Sequence, residues 1–206
     1  MRFKAELWVR LKVADLVAQT AWMTLTEKLD FSSDLHGMVR YSYWGFDAEG
    51  QSAEKVLEEL DRVVRLDSSF TNQNKHLYLL KVTEDQPGAE SMIAGDLPLG
   101  RDYPVHDTAE NVEAGYNRYA CDLLVCELRN DRAEGFVSRL DSRLEGTKVS
   151  GMKAGEVWRL IVNASGDEDA VRKVENMAVT RSRREGVLLN PHYQTSELIG
   201  ISVTDA

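Results

Sequence analysis

The residues with chemical potential are few, and their spacing decides what they can do. Cys121 and Cys126 stand five positions apart in the run Cys121-Asp122-Leu123-Leu124-Val125-Cys126, which has the apolar density of a strand. An odd separation on a strand sends two side chains to opposite faces, so the pair predicts packed thiols, not a shared zinc ion or a disulfide. The four histidines, His36, His76, His106 and His192, have no metal-ligand spacing. Two of them recur 116 positions apart, in Asn74-Lys75-His76 and Asn190-Pro191-His192. A contact made there by an imidazole would titrate near neutral pH. Arg181, Arg183 and Arg184, with Arg172 and Lys173 nearby, form the one basic cluster. Cations gather at helix C-termini for dipole reasons, and the same cluster suits a phosphate or an acidic surface. There is no G-x-x-x-x-G-K-[ST] loop and no G-x-S-x-G elbow. The motifs therefore nominate no catalytic residue, no cofactor site and no metal site.

Composition narrows the class. The chain has 206 residues, 43% hydrophobic and 29% charged, with a formal net charge of -9. This is globular composition, and the acidity disfavours a protein that tracks nucleic-acid phosphates. No apolar run is long enough to span a bilayer, and the opening Met1-Arg2-Phe3-Lys4-Ala5-Glu6 lacks the apolar stretch of a secretory signal. The expectation is a cytoplasmic protein without membrane or nucleic-acid partners.

The elements that would position these residues come in two sets. Phe3, Ala5, Leu7, Val9 and Leu11 alternate with polar or exposed-type positions, the pattern of a strand with one buried face. A shift of 116 reaches Tyr119 to Glu127, a second strand. Helical stripes follow each: Val17, Ala21, Leu25 and Leu29 in the first half, Phe136, Val137, Leu140 and Leu144 in the second. Strand-like runs at Val39–Trp44 and Val157–Val162 come next. Second helices are marked by Val56, Leu57, Leu60, Val63 and Val64, and by Ala170, Val171, Val174, Met177 and Ala178. Each half ends in a strand, Leu77–Val82 and Tyr193–Val203. Gly45, Gly50, Gly151 and Gly155 read as turn residues.

The spacing predicts an α+β protein of two β-α-β-β-α-β modules of ferredoxin-like type in tandem, over residues 1–83 and 119–206. Antiparallel sheets would carry helices on one face, and the modules would cover each other as an intramolecular pseudo-dimer. Between them, residues 84–118 carry eight carboxylates against two basic side chains and three of the four prolines. This stretch reads as an acidic connection, a solvated loop or a strap docked on a partner.

The second half resembles the PurS family, the small subunit of phosphoribosylformylglycinamidine synthase. The resemblance lies in Val149-Ser150-Gly151-Met152-Lys153-Ala154-Gly155-Glu156-Val157-Trp158-Arg159-Leu160, where Gly155 falls at the family's glycine between two strands. It continues in the helix from Asp169 to Met177 and in Leu188-Leu189-Asn190-Pro191. It implies a duplicated PurS-like chain acting in purine biosynthesis: a non-catalytic accessory subunit of an ATP-dependent amidoligase. Such a subunit bridges the synthetase and glutaminase subunits and shelters ammonia transfer between them. Gly155, Asn190, Pro191, His192, Asn74, His76, Arg181, Arg183 and Arg184 are the candidate contacts with those partners, between the modules, or in a homo-oligomer. The competing expectation is a stand-alone regulatory module that binds a small metabolite. Fold alone does not choose between them.

Overall fold

The computed structural model describes residues 1–98, 116–129, 131–182 and 185–204. The strands are β1 (Arg2–Leu11), β2 (Leu35–Glu49), β3 (His76–Glu84), β4 (Ser91–Gly95), β5 (Asn117–Glu127), β6 (Lys148–Ala164) and β7 (Gln194–Val203). The helices are α1 (Leu16–Met23), α2 (Ala53–Leu66), α3 (Asp131–Asp141) and α4 (Asp167–Ala178). All seven strands belong to one sheet, in the order β4-β3-β1-β2-β6-β5-β7. With β1, β2 and β3 matched to β5, β6 and β7, that order reads alike from either side of its middle, and β4 is the one addition.

The α+β class stands, but a single antiparallel sheet replaces the separate sheets expected of two modules, because β2 and β6 are neighbours in it, and further expectations about its parts change. The anticipated turns in the middle of each half are absent. β2 and β6 run unbroken for 15 and 17 residues, so each half reads β-α-β-α-β. Gly45, Gly151 and Gly155 lie inside these strands instead of turning the chain. At Gly151 the reason is room, because a Cβ there would sit 2.8 Å from Asp47 Oδ2. Another change concerns residues 84–118. The segment is not wholly a connection, since Ser91–Gly95 pairs antiparallel with β3, from Thr83↔Ser91 to Leu79↔Gly95.

The chain forms two compact units that interleave along the sequence. The first gathers β1, β2 from Tyr41 onward, α2, β3, β4, α3 and β6 up to Gly155. The second gathers α1, β2 up to Arg40, β5, β6 from Glu156, α4 and β7. Each unit therefore takes one helix from the other half of the sequence, unlike the consecutive stretches 1–83 and 119–206.

In the first unit α2 obeys its pattern. Ser52 caps it by accepting the Lys55 N–H, and Val56, Leu60, Val63 and Val64 are buried. They meet Phe3, Leu7 and Val9 of β1 and Leu80 and Val82 of β3, with Ala133 and Leu140 of α3. Trp44 lies at the centre, edge-on to Phe70 and Phe136 at 5.1 and 5.4 Å. The opposite face holds a second aromatic group, Trp8 with Tyr41 and Tyr43 at 5.5 and 5.9 Å.

In the second unit α4 starts at Gly166 with Asp167, Glu168 and Asp169 in its first turn, as the dipole favours. Its Ala170, Val174, Met177 and Ala178 pack with Cys121, Leu123, Leu160 and Val162. Helix α1 departs from the four-residue stripe expected of it. Val17 is 50% exposed, whereas Ala18 and Leu25 are buried. A turn of π-helical geometry at Thr24–Lys28 widens the helix and shifts its buried face. Leu16 and Met23 are left exposed as well.

Candidate functional site

The described residues that bring the most chemistry together line a cleft of about 470 Å³ in the first unit. The end of β1 supplies Lys12, the last turns of α2 supply Asp61 and Arg65, and the following turn supplies Gln73. The start of β3 contributes His76 and Tyr78, and the end of β4 contributes Ala94, Gly95 and Asp96. The sequence sets these positions simply. Asp61 and Arg65 are four apart and share a helix face, while His76 and Tyr78 are two apart and share a strand face.

The chain bends into the cleft at Gly95, whose φ of 109° belongs to the left-handed region. A Cβ there would fall 2.2 Å from the Tyr78 carbonyl oxygen, so only glycine fits. The bend lets Asp96 and Leu97 both donate their backbone N–H groups to that carbonyl, at 3.0 and 2.9 Å. In return Asp96 Oδ1 accepts the Tyr78 N–H at 3.2 Å. The Tyr78 hydroxyl donates to Asp61 Oδ1 at 2.6 Å. Burial, then this bond and the Asp61 charge, push the phenol well above its usual pKa, so Tyr78 stays protonated. Arg65 lies 3.5 Å from Asp61, and Lys12 Nζ donates to the Gln73 carbonyl at 2.6 Å.

His76 is fixed by a turn. Its Nδ1 accepts the Asn72 N–H at 3.0 Å, and its own N–H donates to the Asn72 carbonyl at 2.7 Å. Accepting at Nδ1 requires the neutral ring with its proton on Nε2. Burial, then the Lys75 charge, hold the imidazole below its usual pKa, which favours that form. The cleft thus offers an imidazole N–H, an ammonium and a guanidinium beside the carboxylates of Asp61 and Asp96. Such a set orients a small polar ligand carrying charges of both signs.

The same turn occurs in the second unit. Asn190 Oδ1 accepts the His192 N–H at 3.0 Å, as Asn72 Oδ1 accepts the Asn74 N–H at 3.0 Å. The Asn190 carbonyl accepts from Tyr193 and Gln194, as the Asn72 carbonyl accepts from Lys75 and His76. Gln194 Oε1 accepts the Asn190 N–H at 2.9 Å, the place taken by His76 Nδ1. Leu128 donates to the Tyr193 carbonyl as Lys12 donates to that of Lys75. Within the turn the structural match is therefore a shift of 118, while the strand donors Lys12 and Leu128 stay 116 apart: His76 corresponds to Gln194, and His192 to Asn74. The sequence pairing of His76 with His192 is two residues out of register, because the backbone turn, not the imidazole, is what repeats. Pro191 occupies a turn position that needs no N–H.

The remaining candidates are dispersed. Asn74, Asn190, Pro191 and His192 are exposed turn residues, and Gly155 lies within β6. Arg181 is exposed beyond the end of α4, while Arg183 and Arg184 fall outside the described residues, as does His106. Arg172 and Lys173 are engaged with carboxylates, Arg172 with Asp169 at 2.5 Å and Lys173 with Asp34 at 2.7 Å. Cys121 is fully buried, and burial, then Asp122 and Asp167, push its thiol up to about 12. It is a packing residue, not a thiolate. Among the described residues no three His, Cys, Asp or Glu side chains are grouped to hold a metal ion, and no helix is long and apolar enough to cross a membrane. Sequence reasoning missed Lys12, Asp61, Arg65, Tyr78 and Asp96, which converge from four separate elements and share no motif. Only the Gly95-Asp96 pair after a short apolar run carried a local signal.

Set against known protein families, curated proteins and solved structures, the chain matches none.

Proposed function

We propose that this chain is a duplicated, PurS-like assembly subunit that bridges the synthetase and glutaminase subunits of a phosphoribosylformylglycinamidine synthase. The observation that carries the reading is the repeated turn, Asn72–His76 against β1 and Asn190–Gln194 against β5. The two turns share their donors and acceptors one for one, at the same junction of helix and strand. Independent loops have no reason to converge on five matching hydrogen bonds, whereas two copies of one module do. A duplicated module would give in one polypeptide the pseudo-dimer that a single-module subunit obtains by association. Its work would be positioning and exclusion of water around a reactive intermediate, done by surfaces and not by a reaction centre. The test is affinity capture with both partner subunits and deletion of the gene. Capture of both, with a purine requirement in the deleted strain, is the expected result. Failure to retain either subunit removes the reading.

A second reading is favoured by the cleft around His76. In it the chain is a regulatory module that holds a small zwitterionic metabolite, with Lys12 and Arg65 taking the anionic end and Asp61 or Asp96 the cationic end. Calorimetric titration with free amino acids tests it. Heat that disappears in Arg65→Ala supports this reading, and no heat with any of them ends it.

A further inference from the structure

Two arginines of the second unit are spent inside it. Arg159 sets Nε and Nη2 on the two oxygens of Asp122, and Arg40 divides three nitrogens between Asp15 and Glu156. Three arginines of the first unit are held otherwise. Arg139, in the last turn of α3, and Arg143, just beyond it, each give one nitrogen to the same oxygen, Asp67 Oδ2, at 2.6 and 2.9 Å. Arg62 of α2 donates from Nη2 to the Arg143 carbonyl oxygen at 3.1 Å. Each head group therefore spends a single nitrogen on its hydrogen bond, although a guanidinium is rich in N–H donors. All three side chains are about half exposed, whereas the Asp67 carboxylate that anchors two of them is 3% exposed.

We propose that Arg62, Arg139 and Arg143 form a binding site for a phosphate dianion, free or at the end of a small phosphomonoester. The charges select this ligand. Asp67 offsets one of the three guanidinium groups, and the two charges left over equal those of a phosphate dianion. A carboxylate would offset only one of them. Glu145 stands 3.8 Å from Arg62, but it is 86% exposed, so water screens that pair. The geometry selects phosphate as well. Guanidinium groups bind its oxygens through paired N–H donors, and here the heads that carry them are already tethered. Asp67 fixes Arg139 and Arg143, and the Phe136 ring lies 5.4 Å under the Arg139 head. Side-chain freedom lost on folding is not lost again on binding. The dipole of α3 accounts for Arg139 in its last turn, but not for Arg62, which comes from another helix.

The experiment is titration of the full chain with inorganic phosphate and, separately, with glycerol phosphate, at constant ionic strength and about pH 8, where a phosphomonoester is a dianion. The NMR signals of the arginine Nε–H groups report binding. Wild type should saturate, with Arg62, Arg139 and Arg143 moving most, and sodium chloride at the same ionic strength should move none of them. Saturation by one probe alone supports the site and names its source, the free ion or the ester. Arg62→Gln leaves Asp67 its two partners, so its backbone spectrum should stay as in wild type while binding weakens about tenfold. Arg65→Gln, on the same helix but outside the trio, should bind as wild type does. Failure of both probes to saturate, or equal shifts with chloride, overturns the proposal. So does binding lost in Arg65→Gln and kept in Arg62→Gln, which would put the anion in the cleft around His76. Because no synthase subunit is present, the outcome is separate from that of the bridging role.

Discussion

The first and second units answer the same structural problem with different completeness. In the first, α3 is pinned to the end of α2 by a buried carboxylate: Asp67, 3% exposed, accepts from Arg139 and Arg143 at 2.6 and 2.9 Å. Glu59 of α2 also receives the backbone N–H groups of Glu145, Gly146 and Thr147. In the second unit α1 is held at its start, where Asp15 caps it and takes the Arg40 guanidinium at 2.8 Å, and Lys173 of α4 reaches Asp34. Yet α1 leaves Leu16, Val17 and Met23 in solvent. Among the described residues, four buried side-chain atoms there, on His36, Arg118, Trp158 and Asn163, lack a hydrogen-bond partner, against one in the first unit, Thr147 Oγ1. Each such atom forgoes the compensation that buried polar groups normally receive. The lesson is that a like order of helices and strands does not bring like finish: among the described residues, the added strand β4 and the fuller pairing of buried polar side chains belong to the first unit.

The comparison can be broken most forcefully at Trp44. Trp44→Ala should cost about 3–5 kcal/mol in urea unfolding, the range for emptying a buried aromatic site. Hydrogen exchange should then quicken in α2 and α3 while α4 keeps its protection. Equal loss in both units would show that they unfold as one and that the contrast has no energetic meaning.

Asp67→Ala should come next, at about 2–3 kcal/mol, because it removes a buried carboxylate that serves two guanidinium groups and the Ser69 N–H. Burial alone would raise this carboxyl's pKa. The Ser69 hydrogen bonds, then Arg139 and Arg143, outweigh it and hold the group below its usual value. Its contribution is therefore present above the ordinary carboxylate pKa and lost as acid protonates it in the folded state. In the variant, unfolding profiles should flatten in that acidic range. A profile unchanged from wild type would mean that the ion triad contributes nothing.

A smaller effect sharpens the match between the turns. His76→Gln installs the residue that the second unit uses, and should keep the turn. The folded pKa of His76 is lowered, so its stabilisation is complete above the imidazole's ordinary value near 6.5 and fades as pH falls below it. The variant should lose part of the stability change between roughly pH 5 and 7, with the remainder left by His36, whose pKa burial also lowers. A variant as pH-sensitive as wild type would remove His76 from the account.

The least effect is expected at Cys121. With the thiol near 12, alkylation of the native protein at mildly alkaline pH should be far slower than in urea. Rapid native alkylation would mean that the second unit opens readily and is looser than its packing indicates.

Much of this was written in the chain. Alternation placed β1, the apolar stripe placed α2, and the odd separation of Cys121 and Cys126 matched strand β5, where Cys121 faces the helices. The like order of elements in the two halves was legible, with their approximate spacing. The cleft was not, because Lys12, Asp61, Tyr78 and Asp96 lie on different elements and only folding makes them neighbours.

Local sequence determined which stretches become helix or strand, since period and capping act within a few residues. It also determined that both halves carry the same turn, since Asn72 and Asn190 bond to backbone close by. Tertiary structure alone decided that β2 and β6 pass straight through their glycines, that each unit takes a helix from the other half, and that β4 pairs with β3. Those outcomes depend on pairing and packing between segments far apart in the chain, and no local pattern of residues encodes which distant surface will be there to meet it.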